Sequence, residues 1–181
     1  YKRHISGAAE PFKTVSCAKV AKDGTVYVCD RGHNRVQAFD KTGKFLKQGL
    51  VSQATKGTGA VWDVALSKDA PQRYLFVADG HDQKIFILRR DTLAVVGSFG
   101  DGGRYPGTFY GVGSVAVDSK GNVYTGETLE GQRVQTFIPK GGAGVPTGAR
   151  VASASAFWPR RPTWVASRAV WRTGARPRRP P

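Results

Sequence analysis

The sequence "KDGTVYVCDRGHNRVQAFDKTGKF", from Lys22 to Phe45, contains a glycine turn, an apolar strand that ends in Asp30, an Arg-led second strand and another glycine turn. The apolar strand is rich in β-branched and aromatic residues, which favour strands over helices. Such a stretch is either a single hairpin or one copy of a repeat, and a search for further copies separates the two.

Two further copies follow along the chain. Aligning Val20, Leu66 and Val117 superimposes three similar segments, with steps of 66 − 20 = 46 and 117 − 66 = 51 residues. Each copy has a short alternating strand, an acid-containing turn, an apolar strand that ends in an acid, a polar loop, and a third strand opened by a basic residue. The terminal acids are Asp30, Asp79 and Glu127, and the third strands open with Arg35-Val36, Lys84-Ile85 and Arg133-Val134.

The turns of the repeat support an all-β fold. Lys22-Asp23-Gly24 and Ser119-Lys120-Gly121 fit three-residue hairpin loops with glycine in the left-handed position, where the missing Cβ removes a steric cost. A unit of about 45 to 50 residues with three or four strands cannot bury both of its faces alone. The sequence therefore predicts blades stacked radially in a β-propeller. The acid that ends each second strand is expected to accept hydrogen bonds from loop N–H groups or to pair with the following Arg or Lys.

The first copy resembles an NHL repeat, whose pattern is a strand ending in Val-Ala-Asp, then Asn-x-Arg-Ile/Val, then a glycine turn. Val28-Cys29-Asp30, Asn34-Arg35-Val36 and Gly43 match it closely. Looser matches are Val77-Ala78-Asp79 with Gln83-Lys84-Ile85, and Thr125-Gly126-Glu127 with Gln132-Arg133-Val134. The resemblance covers about residues 12–138 and implies NHL-type blades at about 12–59, 60–108 and 109–138.

NHL propellers usually have six blades, so three blades would leave two open faces. Either the chain is a C-terminal fragment of a longer protein, or two copies close a three-plus-three ring by two-fold symmetry. The fragment is the favoured interpretation.

Within NHL proteins, the chain is most similar to bacterial propellers related to peptidyl-α-hydroxyglycine α-amidating lyase. That resemblance implies a zinc ion held by histidines at the channel end of different blades. The equivalent positions here are Ser16, Trp62 and Gly113, and none is His. The three histidines of the chain, His4, His33 and His81, are weak candidates for metal ligands, and exposed loop positions are their default interpretation. No cofactor is predicted, although a complete propeller could hold zinc or calcium.

Candidate ligand contacts come from the loops and from the first strand of each blade. Trp62 is the best single candidate, because it occupies the register of a channel-facing residue and offers an aromatic face; packing between blades is the alternative. The glycine-rich stretch from Ser98 to Gly111 joins blades 2 and 3, and its glycines are expected to form turns. The further candidates are Arg31, Arg104, Tyr105 and Tyr110.

The two cysteines allow a structural prediction. If Lys22 to Gly24 is the loop, partner numbers across the hairpin sum to 46, which places Cys17 opposite Cys29. Opposed cysteines form either a disulfide or two buried thiols. A disulfide would favour an extracytoplasmic location, periplasmic or secreted, which is the predicted localisation.

The net charge of +15 is mostly a property of the tail. Residues 139–181 hold 9 Lys and Arg and no acid, so residues 1–138 keep 28 − 9 = 19 basic against 13 acidic residues, a net of +6. The Arg/Pro/Ala/Gly-rich tail is either a basic, Trp-bearing arm for nucleic acid or an anionic surface, or the product of a shifted reading frame. It is predicted to be disordered or loosely docked. No apolar run approaches the ~18 residues of a membrane helix.

Three functions remain open. The favoured one is a non-catalytic binding or scaffold propeller that recognises a peptide, carbohydrate or protein partner through loop and channel surfaces. The second is a zinc-dependent amidating-lyase-like enzyme, if an absent half supplies metal ligands. The third is nucleic-acid binding through the tail, and a homodimer that closes the propeller is a further expected partner.

Overall fold

The structure, a computed structural model, describes residues 11–128 and 130–139 in full and residues 165–167 as backbone. Within these ranges the chain forms β-strands, one 3₁₀ turn at Arg31–His33, and no α-helix. None of the helical segments described could cross a membrane. The strands are β1 (Val15–Val20), β2 (Val26–Asp30), β3 (Arg35–Phe39), β4 (Phe45–Leu50), β5 (Asp63–Leu66), β6 (Tyr74–Asp79), β7 (Lys84–Arg89), β8 (Val95–Phe99), β9 (Val112–Val117), β10 (Val123–Glu127), β11 (Val134–Ile138) and β12 (Val165–Ser167).

The strands form three four-stranded antiparallel sheets, each a simple meander. Their orders are β1-β2-β3-β4, β5-β6-β7-β8 and β9-β10-β11-β12. The first strands lie side by side, because β5 contacts both β1 and β9. Three meanders arranged around a shared line of inner strands are consecutive blades of a β-propeller. The all-β fold class and the number of blades are therefore confirmed.

The hairpin that opens blade 1 has the register that its loop predicts. Ala21 N donates to Thr25 O at 2.8 Å across the three-residue loop, and Gly24 has φ = 85°. Cα partners then pair Val20 with Val26 and Cys17 with Cys29. Gly121 of blade 3 repeats the left-handed conformation with φ = 83°, which confirms the role expected for both glycines.

Each blade has an outer fourth strand that the repeat alignment does not contain. In blades 1 and 2 this strand, β4 or β8, follows the third strand after a short turn. In blade 3 the outer strand is β12, which pairs with β11 so that Ile138 lies opposite Val165. The three residues of β12 lie beyond residue 138, within the segment predicted to be a separate tail. The other predictions for the tail, and those for residues 1–10, lie outside the described residues.

The hydrophobic core lies between blades. On β6, Leu75 and Phe76 point to opposite faces of the sheet because side chains alternate along a strand. Leu75 packs in a cluster shared with blade 1, which includes Tyr27, whereas Phe76 packs in a cluster shared with blade 3, which includes Phe137. Blade 2 is buried on both faces, which explains the continuous apolar run of its central strand.

The outer faces of blades 1 and 3 are covered by no other described blade. On blade 1, Val20 is 66% exposed, and Leu46 and Leu50 of β4 are 47% and 45% exposed. On blade 3, Val134 and Ile138 of β11 are 52% and 45% exposed. The two ends of the three-blade stack therefore present apolar side chains to solvent.

Candidate ligand-binding site

The five predicted ligand contacts all lie at one end of the blades. In each meander the loop between the second and third strands lies at the same end as the linker that enters the first strand, because neighbouring strands are antiparallel. This end is called the loop face below. Arg31 lies in the β2–β3 loop, Trp62 immediately before β5, and Arg104, Tyr105 and Tyr110 in the linker between β8 and β9.

Arg31 and Trp62 form a stacked pair between blades 1 and 2. The Cζ atom of Arg31 lies 4.6 Å from the centroid of the Trp62 ring. The indole Nε1 donates a hydrogen bond to the carbonyl oxygen of Gly59 at 2.8 Å, which fixes the orientation of the ring. Both side chains are half-buried. A guanidinium over an aromatic face is stabilised by about 0.5–1 kcal/mol at partly exposed sites.

The Arg31 guanidinium has no carboxylate partner among the described residues. Its Nε–H is buried and donates no hydrogen bond within the same set. Arginine side chains usually find bidentate acceptors when they are held in place, since their N–H groups form a rigid fork. The stacked pair therefore presents an oriented positive charge that no described acid of the protein neutralises.

Gly80 allows the Trp62 ring to approach the next blade. A Cβ atom built on Gly80 would lie 2.7 Å from Trp62 Cδ2 and 2.7 Å from the carbonyl oxygen of Val112. Both separations are below van der Waals contact, so a larger residue would displace either the indole or the backbone of blade 3. Gly80 thus leaves room for the Trp62 indole, part of whose surface remains exposed.

A second arginine–aromatic pair lies in the linker to blade 3. Arg104 Cζ is 4.3 Å from the centroid of the Tyr110 ring, and Arg104 also pairs with Glu130 at 3.0 Å. Tyr110 is 40% exposed and Tyr105 is 80% exposed. This pair differs from the Arg31–Trp62 pair because Glu130 compensates the charge of Arg104. The exposed surface of the second pair is mainly tyrosine.

The glycine-rich linker is folded around a buried phenylalanine. Gly100 and Gly107 have φ of 85° and 88°, as expected for the predicted turns. Phe109 is fully buried, and its N–H donates to Asp101 O at 2.7 Å. The linker thereby holds Tyr105 and Tyr110 at the surface on a fixed scaffold.

The acids that end the second strands mostly have the structural role predicted for them. Asp30 accepts hydrogen bonds from Arg35 Nε at 2.8 Å and from the backbone N–H of Lys13 and Thr14. Burial opposes ionisation of Asp30, but bonds from His33, Thr14 and Arg35 outweigh it and lower the pKa of this carboxyl. Glu127 accepts a 2.6 Å bond from Arg133 Nε in the same way.

Asp79 is the exception among the three acids. Its Oδ1 accepts the backbone N–H of His81 and Asp82 at 2.9 and 2.8 Å, but its buried Oδ2 has no partner among the described residues. The basic residue of this blade, Lys84, instead lies 3.9 Å from Asp101. Burial raises the pKa of Asp79 to about 6.

The described histidines do not belong to a cluster of side chains that could hold a metal ion. His33 Nδ1 is 2.8 Å from Asp30 Oδ2, and His81 Nδ1 is 3.5 Å from Thr58 Oγ1. Within the described ranges, no cluster of three or more His, Cys, Asp and Glu side chains is suited to a metal. His4 lies outside the described residues. Ser16, which the lyase resemblance compared with a zinc ligand, donates from its Oγ to Val61 O at 2.7 Å and so ties blade 1 to blade 2.

Two functional side chains were not recognised from the sequence. Asn34 and Gln83 occupy the position before the basic residue of their blades, with φ of 52° and 58°. Asn34 Oδ1 accepts the N–H of Ala60 at 2.8 Å, and Gln83 Oε1 accepts the N–H of Gly111 at 2.7 Å. Each side chain therefore holds the linker that leads into the next blade. The sequence signal that could have identified them is the amide side chain that both blades have at this position of the repeat.

The cysteines of blade 1 lie in the predicted register. Cys17 and Cys29 have a Cα–Cα distance of 4.9 Å and are joined by a disulfide. The bond links the inner strand to the second strand of the same blade, and Cys29 is fully buried.

The fold and the repeat pattern together define the class of this protein as consecutive β-propeller blades. The family that describes the NHL repeat matches residues 14–39, which comprise the first three strands of blade 1. No curated protein matches the chain in sequence.

Solved structures with the same fold are distant in sequence. The WD40 repeats of RRP9 are 17% identical, with a TM-score of 0.57 over 80% of this chain and 40% of that one. A streptogramin B lyase is 16% identical, with a TM-score of 0.52 over 71% of this chain and 39% of that one. Kuenenia stuttgartiensis hydrazine synthase is 11% identical, with a TM-score of 0.52 over 66% of this chain and 31% of that one. The chain thus spans less than half the length of each of these propellers, and the likeness is one of fold.

Proposed function

We propose that the chain is a non-catalytic binding module that recognises an acidic segment of a peptide or protein partner at its loop face. The observation that supports this is the Arg31 guanidinium, which stacks on Trp62 and has no described counter-ion. A carboxylate from a partner would complete the hydrogen bonds of the arginine in a partly water-excluded place, where charge-assisted bonds are strongest.

The exposed tyrosines extend the proposed surface. Tyr105 and Tyr110 lie on the linker that enters blade 3, at the same end as Arg31 and Trp62. Tyrosine, tryptophan and arginine are the residues that contribute most to binding in protein interfaces. The aromatic side chains bury a large area with few rotatable bonds, and arginine adds directed, charge-assisted hydrogen bonds. The neutralised Arg104 orients Tyr110, while Arg31 supplies the charge that selects an acidic group.

The disulfide supports a proposed location outside the cytoplasm. Disulfides persist in oxidising compartments and are rare where thiols are kept reduced. The Cys17–Cys29 bond of blade 1 is consistent with a periplasmic or secreted protein.

The binding proposal is tested with an array of immobilised peptides of acidic, neutral and basic composition, probed with the labelled full chain at about 0.15 M salt. We expect capture by a subset of acidic peptides. Arg31→Ala and Trp62→Ala should each weaken that capture at least ten-fold, whereas Trp62→Phe should retain part of it because the ring is kept.

Arg89→Ala is the matched control for charge. Arg89 is an exposed arginine at the opposite end of the blades, paired with Asp91 in its own turn, and the variant keeps the basic tail. It should bind like the parent chain. Equal binding by Arg31→Ala and Arg89→Ala, or capture without preference for acidic peptides, would contradict the proposal.

A further inference from the structure

A side-chain clamp recurs between successive blades. In blade 1, Asn34 adopts a left-handed backbone conformation and holds the N–H of Ala60 in the linker to blade 2. In blade 2, Gln83 does the same for the N–H of Gly111 in the linker to blade 3. The residue that precedes the basic residue of the repeat is called the clamp residue below. It ties blade 1 to blade 2 and blade 2 to blade 3.

Blade 3 has the same clamp residue, but no described blade follows it. Gln132 is left-handed, with φ = 45°, and its side chain is exposed and makes no hydrogen bond to any described residue. Val134 and Ile138, the exposed apolar side chains of β11, lie on the adjoining strand. Blade 3 thus presents a clamp beside an apolar face.

Blade 1 presents the matching half. Its register pairs Val15 with Asp30, as Val112 is paired with Glu127 in blade 3, so Thr14 occupies the position of Gly111. In the absence of a preceding clamp, the Thr14 N–H is bound by Asp30 Oδ1 at a long 3.2 Å. The outer face of this blade exposes the three apolar side chains of Val20, Leu46 and Leu50.

We propose that a second copy of this chain occupies these faces, with blade 3 of each copy docked on blade 1 of the other and Gln132 holding the N–H of the partner's Thr14. Each copy carries both complementary faces, so the head-to-tail contact is made twice and closes under two-fold symmetry. The new interface continues the packing already present between blades 1 and 2 and between blades 2 and 3. Three blades from each copy complete a six-bladed ring.

The test is the molar mass of the full chain by light scattering after gel filtration, in about 0.5 M salt so that charge-driven association of the tail is screened. We expect a dimer with twice the 19.5 kDa mass of the chain. Gln132→Ala should raise the dimer dissociation constant about ten-fold, since each ring loses two clamps. Val134→Asp and Leu50→Asp should yield monomers, because each places a charge in the apolar contact.

The controls separate the interface from general destabilisation. Val95→Asp changes a valine of similar exposure, 42%, on the outer strand of the middle blade, where no blade docks, and should remain dimeric. The Gln132 side chain is exposed and makes no hydrogen bond to a described residue, so Gln132→Ala should melt like the parent chain at concentrations where both are monomers. A monomeric or polydisperse parent chain overturns the proposal. So does a parent dimer whose dissociation constant is changed no more by Gln132→Ala, Val134→Asp and Leu50→Asp than by Val95→Asp.

Discussion

At the scale of single residues, the three acids that end the second strands occupy equivalent positions but have different electrostatic environments. Asp30 and Glu127 are each paired with the arginine that opens the next strand. In blade 2 that arginine is replaced by Lys84, whose ammonium lies near the exposed Asp101 instead. The buried carboxyl of Asp79 is left with backbone donors on one oxygen alone, and an ionised carboxylate there is costly.

Asp79 should therefore make the protein less stable as the pH rises. Its pKa is about 6 in the folded chain and near 3.8 when unfolded, so the folded state binds more protons between these values. Stability should fall as the pH rises from 4 to 6, by on the order of 2–3 kcal/mol, and the cost is complete at pH 7. Asp79→Asn keeps an acceptor for the loop N–H groups without a charge. Relative to the parent chain, its free energy of unfolding in urea should rise between pH 4 and pH 7.

Asp69→Asn is the comparison for this experiment. Burial raises the pKa of Asp69, but hydrogen bonds from Ser67 and Arg73 outweigh it, so the net pKa is lowered. The stability that this carboxylate contributes is present above about pH 3.8 and is lost only as the pH falls through its lowered pKa. The cost of Asp69→Asn should stay constant from pH 5 to pH 7. The same constancy for Asp79→Asn would show that Asp79 ionises normally.

At the scale of structural elements, each blade depends on its hairpins and on the contacts of its inner strand. Blade 1 has an inner strand that is exposed on one side, and the Cys17–Cys29 disulfide fixes it to β2. The equivalent pair in blade 2 is Asp63 with Ala78, which has no covalent link. Asp63 is held from both sides instead, by Lys19 of blade 1 at 3.0 Å and by the N–H of Val115 of blade 3 at 3.1 Å. The disulfide thus stabilises an inner strand that lacks a described blade on one side.

Reduction of this disulfide should destabilise the chain by about 2–3 kcal/mol, since the bond restricts the unfolded chain across a separation of 12 residues. The measurement is urea unfolding with and without reductant. The two cysteines are the only ones in the sequence, so a Cys17→Ala, Cys29→Ala variant should unfold at one midpoint in both conditions. Identical midpoints for the parent chain with and without reductant would refute the prediction.

At the scale of the whole molecule, stability comes from contacts between blades rather than from any blade alone. Besides the apolar cluster between them, polar contacts join blades 1 and 2 at the end opposite the loop face, and Arg90 makes two of these contacts. Arg90 Nε donates to Tyr27 Oη at 2.9 Å, its Nη2 pairs with Asp23, and its Nη1 donates to Pro71 O at 3.0 Å. The Arg90 side chain is 15% exposed, Asp23 is 55% exposed and Tyr27 is buried, so the bond to Tyr27 is better shielded from water than the pair with Asp23.

Arg90→Met should lower the free energy of unfolding by about 1–3 kcal/mol, because it removes charged hydrogen bonds and leaves the Tyr27 hydroxyl without its donor. Arg89→Met is the matched control. The Arg89 guanidinium pairs with Asp91 in an exposed turn, so the loss of unfolding free energy should stay below about 1 kcal/mol. Chemical denaturation of both variants measures the difference, and equal losses would mean that Arg90 does not join the blades.

The blade architecture was predictable because its signals are local. The left-handed glycine at Gly24 recurs in blade 3, and the alternation of β1 and β2 and the acid at Asp30 recur in each copy. Together these signals specify a meander. The strand β12 was not predictable, since three residues far along the chain pair with β11 only after folding. The position of Trp62 followed from the repeat register, but its contact with Arg31 required the relative placement of two blades.

The sequence by itself determined that this protein is made of repeated β-propeller blades, how the strands of the first hairpin pair, and that Cys17 faces Cys29. These properties depend on turn geometry and on a two-residue period, which act over short stretches of chain. Only the tertiary structure decided which charged and polar side chains have a partner among the described residues. Arg31, Asp79 and Gln132 differ from their counterparts through neighbours on other loops and blades, and such contacts are set by three-dimensional packing rather than by spacing along the chain.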